Sequence, residues 1–83
     1  MERQEVETRV RSVIADVLKI DEEQISPDSN FVFDLGADSM QSLQLVAAFE
    51  EDFDIEMEED EALSVQTVSD AVDFIQKVVN QTE

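Results

Sequence analysis

The chain has 83 residues, no cysteine, no histidine and one glycine, with 22 acidic against 5 basic side chains for a net charge of −17. A chain of this size makes one small domain that buries only about 60% of its unfolded surface, so a few amphipathic elements must supply the core without a disulfide. The charge argues against nucleic acid or anionic membrane as partner and for basic protein patches, while the missing His and Cys remove the commonest general base and the strongest nucleophile.

Val6, Val10, Val13, Ile14, Val17 and Leu18 recur at helical spacing and predict an amphipathic helix over residues 4–19. Its valines lower intrinsic propensity, so the helix is expected to depend on tertiary packing. Asp21 to Asp34 lacks that period. Asp21-Glu22-Glu23-Gln24 predicts one short turn anchored by Ile25, and Ser26-Pro27-Asp28-Ser29-Asn30 is a dense cluster of turn residues. Phe31, Val32, Phe33 and Leu35 then return apolar weight, as in a packed functional loop rather than a linker.

A second helix is predicted from Ser39 to Phe53, with Asp38 as N-cap and Gln41 completing a variant capping box. At 100° per residue its apolar positions split into two stripes. Leu45, Val46, Phe49 and Phe53 form the stripe to bury against the first helix. Met40, Leu43 and Ala47 lie nearly opposite, flanked by Gln44, Glu50 and Glu51, and need either a cover or a partner. Asp54 to Glu61 is almost entirely acidic, with a short helix near Glu59 to Leu63. Thr67-Val68-Ser69-Asp70 is a capping box, and Val68, Ala71, Val72, Ile75, Val78 and Val79 stripe the last helix, whose end from Asn80 to Glu83 is expected to fray. The fold predicted is all-α, a bundle of three main helices plus one short helix, in a single domain over residues 1–83.

No apolar run is long enough to span a membrane, and Met1 to Arg11 is polar and mixed in charge, so neither signal peptide nor membrane insertion is expected. With the absence of Cys this suggests a cytoplasmic protein. One glycine rules out a glycine-rich phosphate loop, and nothing singles out a catalytic pair among the carboxylates, so no enzyme is expected. The nearest calcium-like run, Asp28 to Phe33, has Val32 and Phe33 where an EF-hand needs an oxygen ligand and Gly. No dedicated metal site is expected, only loose divalent binding by clustered acids.

What remains is Ser39. It alone among seven serines combines a helix N-terminus, the unique Gly36 nearby and a following helix with a second apolar stripe. The positive end of a helix favours phosphate. A purely structural serine at a helix start fits this geometry equally well.

Asp34-Leu35-Gly36-Ala37-Asp38-Ser39-Met40 resembles the phosphopantetheine attachment motif of the acyl carrier protein family. Phe31 to Asp34 before it, Phe49 to Ile55 after it and Thr67-Val68 also fall at the family's spacing, so the resemblance covers nearly the whole chain. It implies an acyl-carrier-like bundle with a 4′-phosphopantetheine arm in phosphodiester linkage to Ser39, carrying acyl groups as thioesters in fatty acid or related acyl-chain biosynthesis. It also implies that Asp38 helps the phosphopantetheinyl transferase engage. Ile14, Leu45, Val46, Phe49, Val68 and Val72 become candidate acyl-lining residues, with ordinary core as their other reading. Met40, Leu43 and Ala47, with Gln41, Gln44, Glu50 and Glu51, match partner-docking positions for acyl-chain synthesis or transfer enzymes with basic patches. A free-standing monomer is expected.

Gln41 and Gln44 stand where the common fatty-acid-synthesis carriers have acids, which points toward a carrier for a specialised pathway, polyketide-like or lipid-modifying. Phe33 also stands where an acid is common, and is expected to pack down on the loop, with partner contact as its other reading. The rival from another class is a non-enzymatic acidic interaction module in which Ser39 only starts a helix.

Overall fold

The computed structural model describes residues 2–81. Four α-helices follow in order: α1 (Arg3–Leu18), α2 (Ser39–Phe53), the short α3 (Glu59–Ser64) and α4 (Val68–Gln81), with a 3₁₀ turn at Glu22–Gln24. The all-α expectation holds, and among the described residues the β-type pairing is a single antiparallel bridge, Asn30 with Thr67.

Helix α1 is the centre of the bundle and packs on both α2 and α4. Its valine-rich stripe explains that position: Val6, Val10 and Ile14 are completely buried. Such a stripe outweighs a modest intrinsic propensity only when both neighbours cover it. From α2 it meets Leu45, Phe49 and Phe53, and from α4 Val68, Ala71, Val72, Ile75 and Val79. Val46 and Val78, expected in these stripes, sit at their edges and are only half-buried, because a wheel angle gives the face but not where the neighbouring helix ends its cover. The last helix keeps its form through Asn80 and Gln81 rather than fraying from Asn80, since Val79 still packs into the core one turn from the end. Thr82 and Glu83 lie outside the described residues.

Two arginines on α1 tie it to acids on its neighbours. The Arg9 guanidinium donates from Nε to the Asp52 carboxylate at 3.1 Å and to the Asp52 carbonyl at 2.6 Å, and stacks 4.9 Å from the centre of the Phe53 ring. It ties α1 to the end of α2. Arg3 pairs with Glu7 one turn on and with Asp73 of α4. The hydrogen bond to Asp73 holds the Arg3 pKa above its ordinary value, the charges of Asp73 and Glu7 adding to it, so this residue stays cationic at any working pH. These pairs are largely solvated, and such bridges contribute little. The apolar stripes carry the fold.

Both long helices before the acidic stretch end on a left-handed residue that is not glycine, Lys19 after α1 (φ 58°) and Asp54 after α2 (φ 55°). Each donates its backbone N–H back into its helix, Lys19 to the Ala15 carbonyl and Asp54 to that of Glu50. That geometry satisfies orphan carbonyls but strains a residue with a Cβ by roughly 1–2 kcal/mol.

Candidate functional site

The start of α2 is built from residues 29–41. Gly36 has φ +73°, and a Cβ built on it would meet nothing within 4 Å. The glycine is therefore required by its backbone conformation and not by crowding. Asp38 follows in extended conformation and caps the helix. Its carboxylate accepts from the Gln41 N–H at 2.8 Å, and the Gln41 side-chain oxygen accepts from the Asp38 N–H at 3.2 Å. The reciprocal capping box predicted from the sequence is formed, and Ser39 is the first helical residue behind it. Ser39 is exposed.

The loop that delivers Gly36 is fastened at several points. Asn30 accepts on its side-chain oxygen from Val32 N–H at 2.9 Å and Phe33 N–H at 3.0 Å, while its own N–H donates to the Asp34 carboxylate at 2.7 Å. The Ala37 N–H closes the loop by donating to the Phe31 carbonyl at 2.7 Å. Phe31 and Ala37 are buried, so the loop has its own apolar anchors. It is also sewn to the entry of α4, through Phe31 N–H to the Gln66 carbonyl and Val68 N–H to the Ser29 carbonyl, both at 3.0 Å. Ser29, read from the sequence only as a surface, turn or cap residue, is buried, and its hydroxyl meets that of Ser26 at 3.0 Å. The position of Ser39 is thus set by the same residues that start α4. There Thr67 and Asp70 form their own capping box, Asp70 N–H to the Thr67 hydroxyl at 3.1 Å and Thr67 N–H to the Asp70 carboxylate at 3.3 Å.

The second stripe of α2, for which the sequence left either a cover or a partner, is open. Met40 is 69% and Leu43 65% exposed, and Ala47, Gln44 and Glu51 are exposed beside them. Gln41 and Glu50 are half-buried and already engaged, Gln41 in the cap and Glu50 through a carboxylate oxygen that accepts from the Met57 N–H at 3.0 Å. Phe33 does not pack down on the loop: it is 87% exposed. Asn30 explains the correction, because the turn it organises gives its buried anchor to Phe31 and leaves Phe33 at the tip. Asn30, Asp34 and Ser29 are the supporting residues that pattern reading missed. Asn30 was visible only as one member of a turn cluster, and the bonds that its neighbours Ser29 and Phe31 make to the α4 entry have no local signature.

Ile14, Leu45, Phe49, Val68 and Val72 are buried in a single apolar cluster, with half-buried Val46 packed against it. They come from three helices and converge in the core. A surface groove between α1 and α2, floored by Val13, Val17 and Ala48 and edged by Asp16, Glu51 and Asp52, shares none of them. Among the described residues no three carboxylates group as metal ligands, and no helix is long and apolar enough to cross a membrane.

The arrangement offers an exposed hydroxyl on a rigid mount, with an open apolar surface beside it and an apolar core behind it. A tethered anionic group fits there: the hydroxyl is free to bond, no side chain crowds Gly36, and no acid follows Asp38 until Glu50. The phosphopantetheine attachment site family matches residues 8–75 of the chain. The chain is also 47% identical over 73 residues to the acyl carrier protein of Akkermansia muciniphila, covering 88% of this chain and 91% of that one.

Proposed function

We infer that Ser39 is the attachment residue of this chain, from the premise that the chain belongs to the acyl carrier protein family. It is a carrier and not a catalyst, with 4′-phosphopantetheine as its prosthetic group and acyl-chain biosynthesis as its setting. The bound arm supplies a terminal thiol that holds acyl groups as thioesters. The chain cannot supply that sulfur itself, because it has no cysteine.

The observation that carries the assignment to Ser39 is its placement: an exposed hydroxyl on the first residue of α2, behind the Asp38–Gln41 capping box and the left-handed Gly36. Asp38 has two tasks in this reading. One carboxylate oxygen holds the helix start, and its charge meets the phosphopantetheinyl transferase. Gly36 supplies the turn that lifts the serine clear of the loop. The whole chain, residues 1–83, works as one carrier domain and as a monomer, since two copies of a body with net charge −17 repel each other.

Partners seat on Met40, Leu43, Ala47 and Gln44, with Glu51 and the acids beyond α2 facing basic residues on the enzyme. The acyl chain lies between the helices against Ile14, Leu45, Val46, Phe49, Val68 and Val72. Five of these residues are buried in the apolar core and Val46 packs half-buried at its edge.

Thiol titration tests the reading directly. The unloaded chain should give no reaction with a maleimide, and the chain loaded by a broad-specificity phosphopantetheinyl transferase and coenzyme A should give one thiol per molecule. A loaded sample with no titratable thiol contradicts the carrier reading.

A further inference from the structure

We propose that Phe33 is a docking residue for the phosphopantetheinyl transferase, an apolar anchor that the enzyme grips while it loads Ser39. The inference rests on the attachment at Ser39 and adds a recognition residue to it. Phe33 is 87% exposed, the most open of the large apolar side chains, and it stands with Val32 at 55% on the loop just before the serine. Met40 and Leu43 stand just after it, at 69% and 65%. Exposed apolar groups thus stand in the sequence on both sides of one reactive hydroxyl, and an aromatic residue is the type that most often dominates the energy of an apolar contact.

The loop fixes where Phe33 lies. The Ala37 N–H to Phe31 carbonyl bond at 2.7 Å joins residues two positions from Phe33 and two positions from Ser39. By chain reach their Cα atoms are then no more than about 20 Å apart. A standard interface covers about 800 Å² on each partner, roughly 30 Å across. A transferase that brings its reacting phosphate onto Ser39 therefore has both flanks of the serine within its footprint. Phe33 is also held ready, because Asn30 accepts a hydrogen bond from its N–H at 3.0 Å and the loop is sewn to α4. Little order is lost when a partner covers it.

Charge decides what kind of contact this is. The chain carries 22 acids, yet no charged side chain stands between Asp38 and Glu50, and the residues exposed there are Ser39, Met40, Leu43, Gln44 and Ala47. Acids flank the exposed stripe of α2 and are absent within it, while Asp34 and Asp38 stand exposed between Phe33 and Ser39. Basic residues on the transferase can therefore steer the encounter through Asp34, Asp38 and the acids beyond α2, while the contact made by Phe33 itself is apolar and insensitive to salt.

The test is loading of the full chain by a broad-specificity phosphopantetheinyl transferase with coenzyme A, followed by intact mass, for wild type, Phe33→Leu and Phe33→Ser. Phe33→Ser should raise KM about five- to tenfold with kcat nearly unchanged, and Phe33→Leu should keep most of the wild-type KM. The ratio between variants should be the same at about 50 mM and about 300 mM salt, while every absolute KM rises with salt as steering is screened. Melting temperatures should match, because Phe33 is 87% exposed. An unchanged KM for Phe33→Ser, an equal loss for Phe33→Leu, or a ratio that collapses at high salt overturns the proposal. None of these outcomes touches the Ser39 assignment, which fails separately if the wild type takes up no mass at any concentration.

Discussion

Replacing Gly36 by alanine isolates one cause. Its φ of +73° is a conformation that costs an L-residue roughly 1–2 kcal/mol, and alanine recovers part of that by restricting the unfolded chain, by about 0.4–1 kcal/mol. No clash adds to the cost, because an added Cβ would meet nothing within 4 Å. The net loss is about 1 kcal/mol, which for a domain of this size lowers the melting temperature by about 4–8 °C. Urea titration followed by circular dichroism reads the first quantity and thermal unfolding the second. Gly36→Asn is the control: asparagine tolerates the left-handed region better, so it should fall between wild type and Gly36→Ala. A loss above about 3 kcal/mol, or asparagine more damaging than alanine, would mean that crowding and not backbone conformation selects glycine there. No loss at all would mean that the loop does not hold this φ in solution.

The same physics predicts a gain at the other end of α2. Asp54→Gly relieves a left-handed aspartate (φ 55°) and removes a negative charge from a helix C-terminus, so it should stabilise by about 1 kcal/mol in the same titration. A decrease would show that the Asp54 side chain makes a contact worth more than the strain. Added salt or magnesium should raise the melting temperature, since the 17 uncompensated acids outweigh the few solvated arginine pairs. A flat or falling melting temperature would show that self-repulsion is unimportant. Gln41→Glu with Gln44→Glu should improve use by general fatty-acid-synthesis enzymes, with Gln44→Glu alone giving most of the gain, because Gln41 is half-buried and spent on the cap. Equal elongation rates across the variants would remove both glutamines as specificity determinants.

What the sequence made legible was whatever depends on near neighbours. The span of α2 from Ser39 to Phe53, both capping boxes and the short turn before Ile25 follow from residues within one helical turn of each other. The stripe of Met40, Leu43 and Ala47 followed from helical angle alone, but not that it stays uncovered. The misses are all non-local or concern edges. Phe33 and Phe31 are alike as residues, and only the Asn30-centred turn decides which one is buried. The bridge from Asn30 to Thr67 joins parts of the chain with no shared pattern, yet it is what locks the serine's loop to α4. Val46 belonged to the right face of α2 but stands where the cover thins. The site itself was readable because its parts are contiguous, from Asp34 to Gln41. Its support was not, because that support comes from residues 26–31 and 66–70.

The central claim is that Ser39 carries the arm, and intact-mass spectrometry of the chain co-expressed with a broad-specificity phosphopantetheinyl transferase tests it most directly. Wild type should gain the mass of one phosphopantetheinyl group, and Ser39→Ala, equally folded because alanine removes only an exposed hydroxyl, should gain none. No gain on the wild type, or the same gain on Ser39→Ala, contradicts the account.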